Sequence, residues 1–185
     1  MFKIINKTFI FFLIFLSFSN LYSNEKLIEK LKDGEKIILI RHALAPGSGD
    51  PINFDLNDCT TQRNLNIEGV EQSKKIGSFF NKNNIPIDQV LSSEWCRCKD
   101  TAKYAFDEFE TFDALNSFYD IRFAANEDKQ IKDFYEFIDS IDNKNNIVFV
   151  THYVVIGAIL NIGTSSGEIV VTDKNLNIIG SIDTL

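Results

Sequence analysis

Short apolar runs that alternate with helical stripes dominate the chain, and two of these runs are continuous. Residues 37–40 and 147–150 are apolar without interruption and rich in β-branched side chains. Such runs are typical of strands that are buried on both faces, which occur mainly in parallel sheets. Shorter strands are predicted over residues 89–91 and 111–112, and a final hairpin over residues 168–172 and 176–181, with residues 173–175 as its turn.

Helical periodicity fills the segments between these strands. Asn66 is placed to cap a helix that begins at Ile67 and continues with apolar residues at helical spacing to about residue 81. Further helices are predicted over residues 94–106, 131–141 and 154–160, with a short charged helix or lead-in over residues 24–35. The alternation of strand and helix predicts an α/β fold, a three-layer sandwich whose sheet is mostly parallel with an antiparallel edge.

The first 23 residues differ in character from the remainder. Lys3 and Lys7 precede an apolar run over residues 8–18, and a more polar stretch ends at the small residue Ser23. This order is typical of a secretory signal, and the run is shorter than the roughly 20 residues of a membrane-spanning helix. The alternatives are an uncleaved membrane anchor or a buried first helix. We expect residues 1–23 to be a signal peptide, residues 24–185 to be one domain, and the protein to be exported, periplasmic or secreted.

The charge balance narrows the classes of partner. The chain carries a formal charge of −7, and removal of a signal that contains two lysines and no acids makes it −9. Nucleic acids and anionic membranes require clustered positive charge, so we expect neither nucleic-acid binding nor stable membrane association after signal cleavage. Small phosphorylated substrates are not excluded, because they respond to the local field of a pocket.

Three cysteines allow several arrangements. Cys96 and Cys98 are too close in sequence for an easy bridge, so an exported protein is expected to pair Cys59 with Cys96 or with Cys98. Zinc is the competing interpretation, but the one-residue spacer and the lack of a second pair disfavour it, and we predict no metal. Free thiols throughout are the third possibility.

The only two histidines follow the two continuous apolar runs. His42 comes directly after the first run and Arg41, and His152 follows the second run and Thr151. Ligands of parallel sheets bind beyond the carboxyl ends of the strands, so both histidines are expected in one crevice rather than as separate structural side chains. Three of the four arginines, Arg41, Arg63 and Arg97, are also expected there, and their planar donor forks suit phosphate oxygens.

Four blocks of sequence resemble the histidine phosphatase superfamily, also called phosphoglycerate-mutase-like. They are Leu39-Ile40-Arg41-His42-Ala43, the stretch from Arg63 to Gln72, the stretch from Ser92 to Ala102, and Val150-Thr151-His152, in family order over most of the predicted domain. The resemblance implies a phosphoglycerate-mutase-like fold, a nucleophile at His42, catalytic roles for Arg41, Arg97 and His152, and a phosphate pocket of Arg41, Arg63, Arg97 and His152. It implies no cofactor.

The implied activity is hydrolysis of phosphate monoesters or phosphoramidates of small phosphorylated substrates through a phosphohistidine on His42. The general acid that protonates the leaving group is the weak point, because residues 114–118 contain no acid where many family members have one. Glu94, Asp113 and Asp120 are the acids nearest in sequence, and Glu94 and Asp120 are the candidates that we predict. The alternatives are a non-catalytic phosphate- or phospholigand-binding protein that retains the arginine pocket, and a disulfide-bearing structural protein.

Overall fold

A six-stranded mixed sheet forms the centre of the computed structural model, which describes residues 25–185. The predicted signal peptide lies outside the described residues. In chain order the strands are β1 (Ile37–Arg41), β2 (Ile87–Ser92), β3 (Glu110–Thr111), β4 (Asn146–Thr151), β5 (Ile169–Thr172) and β6 (Ile178–Ile182). Their order across the sheet is β3-β2-β4-β1-β5-β6.

The two continuous apolar runs form the adjacent central strands β1 and β4. They pair in parallel, and their register places Arg41 opposite Thr151. Strands β2 and β3 extend the parallel part, whereas β5 and β6 are antiparallel and form one edge, as the alternation of elements predicts. The parallel register brings the residues that follow β1 and β4, His42 and His152, out at the same edge of the sheet.

Helices cover both faces of the sheet. Residues 25–32 form the described part of α1, and α2 (Ile67–Lys82) and α3 (Cys96–Phe106) lie with it on one face. On the other face are α4 (Glu127–Ser140), α5 (Tyr153–Leu160) and a 3-10 turn over Asp113–Leu115. Alternate side chains of β1 supply both layers, with Ile38 and Ile40 in one core and Ile37 and Leu39 in the other. The fold is therefore the predicted three-layer α/β sandwich.

Helix α2 is capped as the sequence indicates. The side chain of Asn66 accepts a hydrogen bond from the backbone N–H of Gly69 at 2.9 Å, and Glu68 lies in the first turn. Gly69 and Gly77 lie against the backbone carbonyls of Leu44 and Ala105, where a Cβ atom would overlap the oxygen. The two glycines thus let α2 closely approach the segment that follows β1 and also α3.

The prediction that a helix covers residues 94–106 was wrong at its start, because α3 begins at Cys96. The backbone N–H of Glu94 donates to Asn116 Oδ1 at 2.8 Å, and that of Trp95 donates to Ser93 Oγ at 3.3 Å. These hydrogen bonds, together with the extended backbone of Trp95, delay the helix by two residues. Periodicity alone contains no information on such tertiary partners.

The hairpin turn is also longer than predicted, since β6 begins at Ile178 rather than at residue 176. The carboxylate of Asp173 accepts hydrogen bonds from the backbone N–H groups of Asn175 and Asn177, both at 2.9 Å. Leu176 adopts a positive φ of 61°, which no strand residue does. Among the described helices, none is long and apolar enough to cross a membrane.

Candidate active site

The two histidines lie side by side where β1 and β4 end. The rings of His42 and His152 lie edge to face, with centroids 5.5 Å apart, and each side chain is only 2 % exposed. The backbone N–H of His42 donates to the carbonyl of Thr151 at 2.9 Å, which continues the β1–β4 ladder by one residue. The sheet itself therefore sets the distance between the rings.

One ring nitrogen of His42 has a defined partner. Nδ1 lies 2.8 Å from the carbonyl oxygen of Ala43, and because a carbonyl only accepts, Nδ1 carries the proton. Burial lowers the pKa of His42 well below its usual value, and the guanidinium of Arg97 lowers it further. The imidazole is therefore neutral near pH 7, and its lone pair lies on Nε2, as a nucleophile requires.

His152 is oriented by a chain of hydrogen bonds that runs through Ser93, Asn116 and Glu94. The hydroxyl of Ser93 donates to Asn116 Oδ1 at 3.0 Å, so its oxygen accepts from His152 Nε2 at 2.9 Å. Asn116 is held in turn by Glu94, whose carboxylate accepts from Asn116 Nδ2 at 2.6 Å. Burial lowers the pKa of His152 well below its usual value, with Arg97 as the next cause.

The guanidiniums of three arginines line one cavity. Arg41, at the end of β1, donates through Nη1 to the carbonyl of Thr164 at 2.6 Å, and its guanidinium lies 5.2 Å from the ring centroid of Tyr153. Burial is the main cause that lowers the pKa of Arg41, and neighbouring Arg97 contributes. Three cations this close destabilise one another unless an anion lies between them.

Asp50 supplies negative charge within this group. Its carboxylate accepts from Arg97 Nη1 at 2.8 Å and from Nη2 at 3.1 Å, and from the indole of Trp95 at 3.1 Å. Burial raises the pKa of Asp50, but the hydrogen bonds and charge of Arg97 outweigh that effect, so the pKa lies below its usual value. No periodicity or motif marks Asp50, which lies in the long loop after β1, and sequence reasoning missed it.

Arg63 is bound by the same loop. Its Nε donates to the carbonyl of Gly49 at 2.9 Å, Nη1 donates to the carbonyl of Ala45, and its backbone N–H donates to Asp50 at 3.1 Å. Burial lowers the pKa of Arg63, and the nearby charge of Arg97 adds to this effect. The loop over residues 45–50, which we call the site loop, thus connects to two of the three arginines.

Two guanidinium nitrogens have no partner. Nε of Arg41 and Nε of Arg97 are both buried, and neither forms a hydrogen bond with a described residue. A buried N–H without an acceptor is unfavourable by about 1–3 kcal/mol, and more in a charged group. An adjoining cavity of about 150 Å³ is lined by all three arginines, Asp50 and Trp95 and by residues of the opposite rim, among them Tyr119, Asp120 and Tyr153. This arrangement suits a small anion such as phosphate.

Comparison with known proteins gives the fold a name. No protein-family model and no curated protein matches the sequence. Solved structures do match, and each match covers 80 % of this chain. The protein histidine phosphatase SixA complexed with tungstate is 15 % identical, with 97 % of that chain covered and a TM-score of 0.58, and a putative phosphohistidine phosphatase SixA from Agrobacterium tumefaciens is 19 % identical, with 98 % covered and a TM-score of 0.55. A phosphoglycerate mutase from Thermus thermophilus is 16 % identical, with 98 % of that chain covered and a TM-score of 0.59. The chain has the histidine phosphatase fold.

Within this fold the structure brings together all four residues of the predicted phosphate pocket around His42. Arg41, Arg63 and Arg97 line one cavity, and the ring of His152 lies beside that of His42. Their roles in binding and catalysis stay predictions. No group of three or more histidine, cysteine, aspartate or glutamate side chains that could hold a metal ion occurs within residues 25–185.

The two candidate general acids differ in position. Glu94 points to Asn116 and does not line the cavity. Asp120 lines it, but hydrogen bonds from Arg122 lower the pKa of Asp120 to about 2. An acid with so low a pKa has almost no proton to donate near pH 7. The run without acids over residues 114–118 contains Asn116, which takes part in the polar chain that holds His152.

The cysteines form one bridge. Cys59 and Cys96 are disulfide-bonded, which is one of the two predicted pairings, and Cys98 is free and buried. Burial raises the pKa of the Cys98 thiol to about 12, and its Sγ atom lies 3.4 Å from His152 Nε2. The bridge ties the end of the long loop to the first turn of α3, next to Arg97.

The neutral histidines predict how stability depends on pH. In the unfolded chain a histidine takes up a proton below pH 6.5, whereas the lowered pKa values of His42 and His152 keep both rings neutral in the folded protein. The free energy of unfolding should therefore fall with decreasing pH by up to about 1.4 kcal/mol per pH unit for each histidine. Urea unfolding at pH 7.5, 6.5 and 5.5 measures the slope.

The matched control for this prediction is His42→Asn, which removes one titrating group. Its slope below pH 6.5 should be shallower than that of the wild type by about 1.4 kcal/mol per pH unit. Identical slopes would mean that His42 is already protonated in the folded protein, which contradicts the neutral nucleophile.

Proposed function

We propose that this protein is a phosphatase that hydrolyses phosphate esters or phosphoramidates through a covalent phosphohistidine on His42. One observation carries the proposal: a buried neutral imidazole, whose lone pair lies on Nε2, has three guanidiniums near enough to lower its pKa, two of which have a buried N–H without an acceptor among the described residues. The names of two solved neighbours, which are phosphohistidine phosphatases, support the same class of reaction.

The reaction then follows in two displacements. Nε2 of His42 attacks phosphorus, the bond to the leaving group breaks and its electron pair goes to the leaving group, while the proton stays on Nδ1 and donates to the Ala43 carbonyl. Water then attacks phosphorus, the N–P bond breaks with its electron pair returning to Nε2, and inorganic phosphate leaves with both protons of the water. Negative charge on the three equatorial oxygens is stabilised by Arg41, Arg63 and Arg97, which are fixed before the reaction and need little rearrangement.

The position of the acids favours substrates with good leaving groups. Asp120, which lines the cavity, is a carboxylate near neutral pH, because Arg122 lowers its pKa to about 2. An alkoxide leaving group requires a proton donor, whereas an imidazole or a phenolate leaves more readily without one. We therefore infer that phosphoramidates, such as phosphohistidine, and aryl phosphates are hydrolysed in preference to alkyl phosphates.

The alternative function is phosphate binding without turnover. The observation that favours it is the same lack of a proton-donating acid among the described residues at the cavity. This alternative requires that the protein binds inorganic phosphate but forms no phosphohistidine.

Trapping the covalent intermediate tests the proposal. The protein is mixed with an aryl phosphate, quenched in alkaline detergent within the first turnover and digested, and the peptides are analysed by mass spectrometry. We expect a phosphoryl group that is stable to base and labile to acid on the peptide that contains His42. The same treatment of His152→Asn controls for phosphorylation at the second histidine. Phosphate release without any phosphorylated His42 peptide would contradict the mechanism, and phosphate binding without release would favour the alternative.

Export of the protein also stays a proposal. It rests on the signal-like pattern of residues 1–23 and gains support from the Cys59–Cys96 disulfide, because disulfides persist mainly in oxidising compartments such as the periplasm.

A further inference from the structure

The carboxylate of Asp50 lies in the arginine cluster, by which we mean Arg41, Arg63 and Arg97. Asp50 accepts hydrogen bonds from both terminal nitrogens of Arg97, from the indole N–H of Trp95 and from the backbone N–H of Arg63. The side chain of Arg97 is 3 % exposed and that of Asp50 is 10 % exposed, so this ion pair is shielded from water. Planar, bidentate pairing of this kind is the geometry in which arginine also binds phosphate.

Two backbone carbonyls of the site loop also accept hydrogen bonds from an arginine. The carbonyl oxygens of Ala45 and Gly49 accept from the guanidinium of Arg63. Oxygen atoms of the site loop therefore accept hydrogen bonds from two of the three arginines that would bind a phosphate. Within the three guanidiniums, the Nε atoms of Arg41 and Arg97 are left buried without an acceptor among the described residues.

Asp50 lines the cavity together with the three arginines, whereas His42, which is 2 % exposed, is not part of that lining. A phosphoryl group in the cavity as it stands meets the carboxylate of Asp50, and two anions at one guanidinium repel each other. Binding of a phosphoryl group to the terminal nitrogens of Arg97 therefore requires that the carboxylate moves.

The backbone of the site loop permits such a movement. Gly47 and Gly49 have φ angles of 94° and 66°, which side-chain-bearing residues rarely adopt, and Gly47 and Ser48 are exposed. A Cβ atom at Gly49 would meet only the ring of Tyr119, at 4.0 Å, so there is open space beside this residue. Asp50 thus follows a partly exposed segment with two glycines, and its movement would break the hydrogen bonds from Arg63 to the carbonyls of Ala45 and Gly49.

We propose that Asp50 is an intramolecular competitor of the substrate: its carboxylate holds the place of the phosphoryl group on Arg97 in the free protein, and an incoming phosphate group must displace it. This inference rests on the proposed function, since it concerns the same site. Affinity for phosphate is then reduced by the fraction of molecules in which Asp50 has left Arg97. Asp50 would favour substrates whose phosphoryl group carries two negative charges over singly charged phosphodiesters and sulfate esters.

The opposite role for Asp50 makes an opposite prediction. If its carboxylate only holds Arg97 in position for phosphate, removal of the charge weakens phosphate binding, because Arg97 loses its orientation. If it competes, removal of the charge strengthens binding. The sign of the change therefore separates the two roles.

The experiment measures binding of inorganic phosphate by isothermal titration calorimetry to the wild-type protein, Asp50→Asn and Asp55→Asn at one pH and one ionic strength. Asparagine keeps the size of the side chain and removes its charge. Asp55 is an exposed carboxylate in the same long loop, and its side chain contacts the backbone N–H of Asn57 rather than an arginine. We expect Asp50→Asn to bind phosphate about 10-fold more tightly or better than the wild type, and Asp55→Asn to bind as the wild type does.

Thermal unfolding provides a second measurement if Asp50→Asn is unstable. The variant leaves a buried guanidinium without its counter-ion, and phosphate should restore the lost stability by taking that position. The expected result is a larger phosphate-induced rise in Tm for Asp50→Asn than for the wild type. An equal or smaller rise, or phosphate binding that is unchanged or weaker in the calorimeter, would overturn the inference.

These outcomes are distinct from failure of the proposed function. If the wild type forms a phosphohistidine but Asp50→Asn binds phosphate no more tightly, only the competitor role fails. If neither protein binds phosphate at all, the phosphate site itself fails, and the inference fails with it.

Discussion

Replacing His42 with alanine is expected to lower kcat/KM for an aryl phosphate by roughly 10⁴-fold or more, because no other neutral imidazole nitrogen of the described chain is placed to attack phosphorus. His152 does not take over this role in our mechanism: its Nε2 donates to Ser93, its lone pair lies on Nδ1, and the Ser93–Asn116 chain holds its ring with the centroid 5.5 Å from that of His42. Steady-state release of phosphate or phenol from wild type and variant measures the ratio. The effect should appear in kcat, as the arginines that bind the ground state are unchanged.

The control for His42→Ala is phosphate affinity. The variant should bind inorganic phosphate within about 10-fold of the wild type, which shows that the pocket is intact while turnover is lost. Equal rates of hydrolysis in the two proteins would show that the nucleophile lies elsewhere and would exclude the phosphohistidine mechanism.

Arg97→Lys is expected to lower kcat by about 10²–10³-fold, although the charge is conserved. The terminal nitrogens of the Arg97 guanidinium face Asp50, and its Nε is buried without an acceptor among the described residues. A lysine ammonium is a single point of charge on a flexible stem and cannot reproduce a planar fork. Steady-state kinetics with the same aryl phosphate measure the loss, and it should be larger in kcat than in KM.

Arg122→Lys is the matched control, since Arg122 is the one arginine of the four in the sequence that lies outside the cluster. Its guanidinium pairs with Asp120 and contacts the backbone of Ile52. Because an aryl phosphate needs no proton from Asp120, the same chemical change there should alter kcat for that substrate less than about threefold. A comparable loss in both variants would indicate a general effect on folding rather than a specific role of Arg97 in the transition state.

The sequence predicts the fold well because its strongest signal, continuous apolar runs, coincides with the centre of the sheet. Residues 37–40 and 147–150 form β1 and β4, and their parallel pairing follows from burial on both faces. The same reasoning places His42 and His152 at one edge. The apolar pattern shows where a strand ends, and the backbone of the sheet then fixes the position of the residue that follows. The location of such a residue can therefore be predicted from the local sequence.

The parts that sequence reasoning missed depend on side chains from loops. Asp50 lies in a segment without periodicity, and only the folded chain places its carboxylate on Arg97. Asn116 lies in the run without acids over residues 114–118. Its hydrogen bonds to Ser93 and Glu94 join residues that are distant in sequence, so no local pattern predicts them. Two pairings of Cys59 were open from spacing alone; the structure selects Cys96, because Cys98 faces the core beside His152.

The register of β1 with β4 also bears on the time at which activity appears during biosynthesis. His42 is made early and His152 late, and the whole segment between them must be translated before the two rings can lie together. Contacts between such distant segments close slowly, since the entropy of a long loop is lost before they form. A nascent or truncated chain that ends before β4 therefore holds Arg41, Arg63 and Arg97 without His152 beside His42.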